Sequence, residues 1–384
     1  MRILFFSFFY KGAKFSGGPI YSVSSLAERL ADRGHEVHVV TSDYCRELSK
    51  LFYIDNGVTI HVFKTRSLVP EWSPVKSEML RTYVGLNDWI EQHNDDFDVV
   101  IVRNTYHPHL SDIVCNFKNA KKLYYGAGEL NWNRVLIGKW KKYLYLKFIE
   151  IPSIRKFDYI VCLTPREKHD YKFWKLKNDT VIIPNGIDVP SDFKGQYTSE
   201  EIRFCYFGRV HSSKGIYELL EAFMLLKKSG IEGWSLRIAG SVEESEVEFL
   251  NSKIEAIDSH LIQFKGCITD PQEKADFLQA SDVFLLPTVA EGMSVAMLEA
   301  MANRNAIITT EGSNMGEYVN RGCGIICEKN AESILKSIKS ILRMKPADLD
   351  KMKEVSHNLA LSEFNWGRVV DKFEILSNST FLKT

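Results

Sequence analysis

The stretch ASDVFLLPTVAEGMSVAMLEAMA, Ala280–Ala302, decides how the chain folds and also holds its strongest chemical signal. Val283–Leu286 is a four-residue apolar run closed by Pro287, so it reads as a strand buried on both faces. A loop with Glu291, Gly292 and Met293 follows, and a helix starting near Ser294 carries Glu299. A strand buried on both faces needs a helix above and below it. That requirement makes the fold α/β with a parallel sheet.

The same alternation extends in both directions. Strands are expected at Arg203–Phe207, Ser235–Ala239, Leu261–Phe264, Ala306–Thr309 and Gly324–Cys327. An earlier series covers Arg2–Phe8, Glu36–Thr41, Thr59–Phe63, Asp98–Val102, Lys122–Tyr125, Tyr159–Leu163 and Val181–Ile183. In Tyr21–Arg33 the residues Val23, Leu26, Ala27 and Leu30 recur at helical spacing, and Gly34 stops the helix. Ile216–Lys228 has one apolar face, Asp270-Pro271 opens another helix, and Ala331–Phe381 reads as three helices. Two series in tandem predict two doubly wound domains, 1–187 and 188–365, with Asp188–Glu200 as the linker. Ligands of such sheets lie beyond the carboxyl ends of the strands, so two facing domains would hold a ligand in the cleft between them.

Composition excludes several classes. The chain has 384 residues, 45% apolar and 26% charged, which is neither disordered nor collagenous. Its 49 basic and 49 acidic side chains argue against a nucleic-acid partner. Residues 1–180 nevertheless carry 27 basic and 20 acidic groups, a net of +7 balanced by −7 in the remainder. Seven scattered cysteines point to a reduced, cytoplasmic setting, with Cys323 and Cys327 read as buried strand residues and no metal site expected. No apolar run approaches the roughly 20 residues of a membrane span.

Three loops carry chemistry. Glu291 and Glu299 lie eight positions apart, about 12 Å if the span were helical, with the helix N-terminus near Ser294 between them to receive an anion. Gly292 lets a ligand approach the backbone. In FCYFGRVHSSKG (Phe204–Gly215), Arg209 and Lys214 project from a loop after a strand and suit a diphosphate. The spacing is not that of an ATP-binding P-loop, because Ser213 and Gly215 stand where glycine and serine or threonine are required. In FSGGPI (Phe15–Ile20), Gly17 and Gly18 open room at the first turn, although a plain tight turn explains them equally. The dinucleotide pattern is absent there and again at Gly126-Ala127-Gly128, where Asn131 breaks it.

Together FSGGPI, IPNGID (Ile183–Asp188), YFGRVHSSKG, LRIAG (Leu236–Gly240), LIQFKG and EGMSVAMLEAMA resemble the retaining family 4 type of GT-B glycosyltransferases over nearly the whole chain. The resemblance implies two facing Rossmann-like domains, with the last helix (within 366–384) crossing back onto the first. It implies a nucleotide diphosphate sugar as co-substrate, no cofactor and no metal. Arg209 and Lys214 would hold the diphosphate. Glu291 and Gly292, Met293 and Ser294 beside it would meet the sugar, and Glu299 the ribose, with Gly17 and Gly18 completing the donor site. Many members carry a histidine where this chain has Ala127. Here Gly128-Glu129-Leu130 resembles a variant seen in part of the family, so Glu129, His107 and His109 become candidates for sugar or acceptor contact.

The implied reaction is retaining sugar transfer to a saccharide or lipid-linked saccharide, in surface polysaccharide biosynthesis. The alternatives are a GT-B epimerase or phosphorylase, and a non-catalytic nucleotide-sugar-binding scaffold. The basic, aromatic segment KWKKYLYLKFI (139–149) suggests peripheral contact with the inner face of a membrane, against the plainer reading of a solvated basic helix.

Overall fold

Successive side chains of a strand point to opposite faces, so a doubly covered sheet needs both sets apolar. The chain meets that condition twice. The structure, a computed structural model, describes residues 1–13, 17–44, 50–69, 81–103, 109–131, 135, 143–191, 201–258 and 260–379. Its contacts divide the chain into two compact units, Met1–Gly186 with the segment from Trp366 onward, and Ile187–Asn365.

The first unit is built on an eight-stranded sheet. From edge to edge its strands are Asp179–Ile182, Tyr159–Cys162, Lys121–Tyr125, Val99–Arg103, Arg2–Ser7, Glu36–Ser42, Val58–Phe63 and Phe52–Asp55. All neighbours are parallel except the last pair. Alternate residues serve alternate faces. Phe5, Ile101 and Leu123 pack with Val23, Leu26 and Leu30 of the helix Gly18–Asp32. Leu4, Phe6 and Val102 pack with Leu86, Ile90 and Ile113 on the other side. The strand order reverses between Arg2–Ser7 and Val99–Arg103, where Ser7 lies opposite Arg103.

The helix Trp366–Asn378 belongs to this first unit. Trp366, Val369, Val370 and Phe373 are buried in the same cluster as Val23 and Leu26. Lys121 caps its far end, with Nζ donating to the carbonyls of Leu376, Ser377 and Ser379 at 2.8, 2.9 and 2.6 Å. The chain thus leaves the first unit at Gly186 and re-enters it at Trp366. The two crossings are stitched beside one another. The Ile187 amide donates to the Phe364 carbonyl at 2.7 Å, and Gly186 lies so close to Trp366 that an added Cβ would sit 2.2 Å from the ring. The boundary falls just before the expected linker, whose residues 192–200 lie outside the described ones.

The second unit has a six-stranded parallel sheet in the order Ile262–Phe264, Trp234–Ala239, Ile202–Phe207, Val283–Leu286, Ala306–Thr310, Gly324–Cys327. In chain order this is 3-2-1-4-5-6, the doubly wound arrangement of a Rossmann-like fold. Its reversal lies between Ile202–Phe207 and Val283–Leu286. Those two strands feed the Arg209–Lys214 loop and the Glu291 loop, so both emerge at the switch point.

Three short strands were not foreseen: Phe52–Asp55, Thr65–Ser67 and Arg81–Tyr83. Cys323 is also corrected. It ends a helical turn, its thiol donating toward the Tyr318 carbonyl at 3.6 Å, and only Cys327 lies on the strand.

Candidate active site

At the switch point of the second unit, backbone hydrogen bonds fix the loop before its side chains are considered. The Gly208 amide donates to the Ala239 carbonyl at 3.0 Å, Val210 to Ser241 at 2.8 Å, and the Tyr206 hydroxyl to the Arg209 carbonyl at 2.7 Å. The Arg209 side chain is exposed and has no hydrogen-bond or ion-pair partner among the described residues. His211 then accepts from the Ser213 amide at 3.2 Å and starts the turn Ser212–Lys214. Gly215 ends it with φ 74°, where an added Cβ would lie 2.1 Å from the Pro287 carbonyl oxygen. Only glycine lets this loop press against the neighbouring one.

That contact brings Lys214 and Glu291 together. Lys214 Nζ is paired with Glu291 Oε1, and Thr288 Oγ1 lies 3.2 Å from the same oxygen. The Glu291 amide donates to the Gly312 carbonyl at 2.8 Å, and Asn314 Nδ2 donates to the Glu291 carbonyl at 2.7 Å. Gly292, Met293 and Ser294 are buried beside it. Ser294 caps the helix Val295–Ala302, accepting from the Met297 amide at 3.4 Å.

Glu299 projects from this helix with its side chain 15% exposed and pairs with Lys274 Nζ at 2.7 Å. Burial raises its pKa, and Lys274 opposes that shift. The two glutamates are not separated by eight helical positions. Helix begins only at Val295, so the 12 Å estimate does not apply, and each carboxylate has its own lysine. The result is an exposed guanidinium and a Lys214–Glu291 pair at the ends of two adjacent strands, followed by a Ser294-capped helix N-terminus and a Lys274–Glu299 pair on the next turns. Such a set binds an anion flanked by hydroxyl-bearing groups.

Sequence reasoning missed Thr288, Asn314 and Lys274. Lys274 left a signal, because a lysine near the start of the helix Pro271–Gln279 runs against the helix dipole and needs a reason to be there.

The remaining candidates lie in the first unit. Gly17 and Gly18 start the helix Gly18–Asp32. His107 lies outside the described residues. His109 is consumed structurally: Nδ1 lies 2.8 Å from Asn87 Oδ1, and Nε2 accepts from the Tyr83 amide at 3.1 Å. Burial lowers its pKa, consistent with a neutral ring. Glu129 sits in a turn whose amide bonds to the Gly126 carbonyl at 2.9 Å and in which Ala127 takes the left-handed conformation, φ 49°.

That turn is held by Glu167, also missed. Its 1%-exposed carboxylate accepts from the Gly128 amide at 2.6 Å, the Leu163 amide at 2.6 Å and the Tyr171 hydroxyl at 2.9 Å. The spacing Thr164-x-x-Glu167 is that of a capping box, which was the available clue.

Two family models together match residues 16–358 of the chain. The one for glycosyl transferases group 1 matches 190–358, and the one for glycosyltransferase family 4 matches 16–190. The chain is 24% identical over 346 residues to an uncharacterised glycosyltransferase of Methanocaldococcus jannaschii, covering 83% of this chain and 84% of that one. It is 25% identical over 398 positions to the alpha-monoglucosyldiacylglycerol synthase of Acholeplasma laidlawii, covering 93% and 92%. Its fold matches sucrose-phosphate synthase from Thermosynechococcus elongatus, with TM-score 0.75, 17% identity and 98% of both chains covered. It also matches WaaG, a glycosyltransferase involved in lipopolysaccharide biosynthesis, with TM-score 0.69, 17% identity and coverage of 98% and 100%. The chain belongs to the GT-B glycosyltransferases of the family 4 type. No helix among the described residues is long and apolar enough to cross a membrane.

Proposed function

We propose that this glycosyltransferase takes its sugar from a nucleotide diphosphate sugar bound at the switch point of the second unit. We propose further that transfer proceeds with retention to a saccharide or glycolipid of a cell-surface polymer. The observation that carries the reading is that the loops after two adjacent strands at the switch point bring Lys214 onto Glu291, with Arg209 exposed on the first loop and the Ser294-capped helix following the second. Arg209 and Lys214 neutralise the diphosphate. The Lys214–Glu291 pair opens as donor binds, so Lys214 turns to the phosphates and Glu291 to the sugar hydroxyls. Glu299, oriented by Lys274, accepts from the ribose.

As the sugar–phosphate bond breaks, positive charge grows at the anomeric carbon and negative charge on the diphosphate. The two cations and the helix N-terminus stabilise that change without a metal. Loss of either Arg209 or Lys214 raises the barrier by about 2–4 kcal/mol. A diphosphate oxygen takes the acceptor proton as the acceptor attacks from the departing face, which retains configuration. In the first unit, Glu129 meets the sugar or acceptor. The test is nucleoside diphosphate release from UDP-, GDP-, ADP- and dTDP-sugars by wild type and Glu299→Ala. One donor should be hydrolysed slowly, and the variant should lose that activity. No release from any donor, with no nucleotide binding by calorimetry, overturns the reading. The anomeric signal of the product by NMR tests retention.

Peripheral membrane contact belongs to the same proposal. In the described part of 139–149, Phe148 is 67% exposed and Ile149 58% exposed, beside Lys147. An apolar edge with a cation suits an anionic bilayer. Co-sedimentation with phosphatidylglycerol vesicles should fall in Phe148→Ser/Ile149→Ser, and equal sedimentation refutes the contact.

A further inference from the structure

Among the described residues, the first unit holds a buried arginine that no carboxylate hydrogen-bonds. Arg103 ends the strand Val99–Arg103 and is 4% exposed. Its hydrogen-bond partners are neutral: Nη2 donates to Ser22 Oγ at 2.6 Å and reaches Asn185 Oδ1 at 3.3 Å. Its Nε has no hydrogen-bond partner among the described residues. The hydroxyl of Tyr125, last residue of the adjacent strand and in register with Arg103, is equally buried and equally without a partner. The guanidinium carbon lies 5.7 Å from the Tyr125 ring centroid, so the two idle donors belong to one neighbourhood. Glu167 is the carboxylate Arg103 senses electrostatically, but it bonds to Gly128, Leu163 and Tyr171 instead.

A buried charge is ordinarily paired, and one whose hydrogen-bond partners are all neutral is costly to hold. Position supplies the reason for tolerating that cost. Arg103 faces Ser7 across the strand-order reversal, at the carboxyl ends of the strands, where open α/β sheets bind ligands. Ser22, which accepts from Arg103, donates onward to the Pro19 carbonyl at 3.1 Å in the first turn of the helix Gly18–Asp32. The fork is therefore tethered to the start of that helix, whose free amides favour the same charge.

We propose that Arg103 and Tyr125, steadied by Ser22 and Asn185, form an oxyanion site in the first unit that takes a phosphate group carried by a substrate. The phosphate is borne either by the acceptor or by the donor diphosphate. The site uses neither Arg209 nor Lys214, and its test does not depend on turnover.

Inorganic phosphate is the probe, titrated by calorimetry into wild type, into the double variant Arg209→Ala/Lys214→Ala, which lacks the cations of the second unit, and into that double variant carrying Tyr125→Phe or Arg103→Met. Phosphate should bind the double variant. Tyr125→Phe removes one hydroxyl and should weaken phosphate binding about tenfold without moving the ligand-free Tm. Arg103→Met should abolish it. If Arg103→Met fails to fold, Tyr125→Phe alone decides. Phosphate binding that is absent in wild type, unchanged in Tyr125→Phe, or lost in the double variant overturns the proposal. UDP, GDP, ADP and dTDP distinguish the two sources. A nucleotide that competes with phosphate and binds more weakly to Tyr125→Phe assigns the site to the donor. One that binds alongside phosphate assigns it to the acceptor.

Discussion

Replacing Glu167 by glutamine removes one negative charge and changes no shape, so its cost can be worked from three bonds. One oxygen accepts from the Gly128 amide and the Tyr171 hydroxyl, the other from the Leu163 amide. Glutamine keeps one acceptor and turns an NH2 group toward an amide that is already a donor. The loss is one charge-assisted bond, about 1.5–3 kcal/mol, plus about 1–3 kcal/mol for the donor left buried and unpaired. A total near 4 kcal/mol lowers the melting temperature of a unit of this size by about 9 °C. The turn from Gly126 to Asn131 should exchange its amide hydrogens faster, and turnover should fall more than donor affinity, because Glu129 rides on that turn.

Burial pushes the Glu167 pKa up, and its three donors oppose that shift. Because the folded pKa lies above the unfolded one, this group's stability term is fullest at low pH. It declines as pH rises through the folded pKa, and Glu167→Gln should erase that slope. Urea denaturation and calorimetry measure the cost. A loss under 1 kcal/mol means that the carboxyl is neutral and that the argument from an ionised anchor is wrong.

Other perturbations give equally definite outcomes. Lys274→Met strands the Glu299 carboxylate, which should weaken nucleotide binding at least tenfold by calorimetry and make that binding depend on pH as the Glu299 pKa climbs further; unchanged affinity separates Glu299 from the ribose. Lys121→Met leaves three helix-end carbonyls without their ammonium donor, so the melting temperature should drop by several degrees and hydrogen exchange in Trp366–Asn378 should rise. Burial, reinforced by His38 and His93, holds the His61 pKa down at about 4. Its stability term is therefore complete above pH 6.5 and lost as pH falls toward 4. The slope is at most about 1.4 kcal/mol per pH unit, roughly halved by solvent screening, and His61→Gln should flatten it in pH-dependent denaturation.

The parallel strands were legible because each is a short apolar run with helical spacing on either side. The prediction at Val283–Leu286 matches the strand end for end. The edge strand Phe52–Asp55 was not, because Phe52 and Ile54 are exposed and no buried face marked it, although Asn56-Gly57 with φ 47° and 75° is a hairpin turn written plainly in the sequence. The placement of Arg209, Lys214 and Glu291 on loops after strands, and of Glu299 on the helix that follows, was legible from the apolar runs on either side. Their partners were not. Lys274 reaches Glu299 across 25 positions and Asn314 reaches Glu291 across 23, distances over which sequence carries no contact signal without the sheet order. Arg103 was passed over because it follows the expected strand Asp98–Val102, and nothing local shows that its hydrogen-bond partners are neutral.

The stitched crossing at Gly186 and Trp366 sets a timetable for synthesis. The sheet of the first unit is on hand early, but one of the helices that covers it is translated only after the whole of 187–365. At roughly 5–20 residues per second the ribosome needs on the order of ten to forty seconds for that interval. Throughout it, the apolar face awaiting Val369, Val370 and Phe373 stands uncovered, whereas the second unit is contiguous and waits only for its own last residues. The nascent chain is therefore most exposed to chaperones and to aggregation in its first-made half, and that half is completed last.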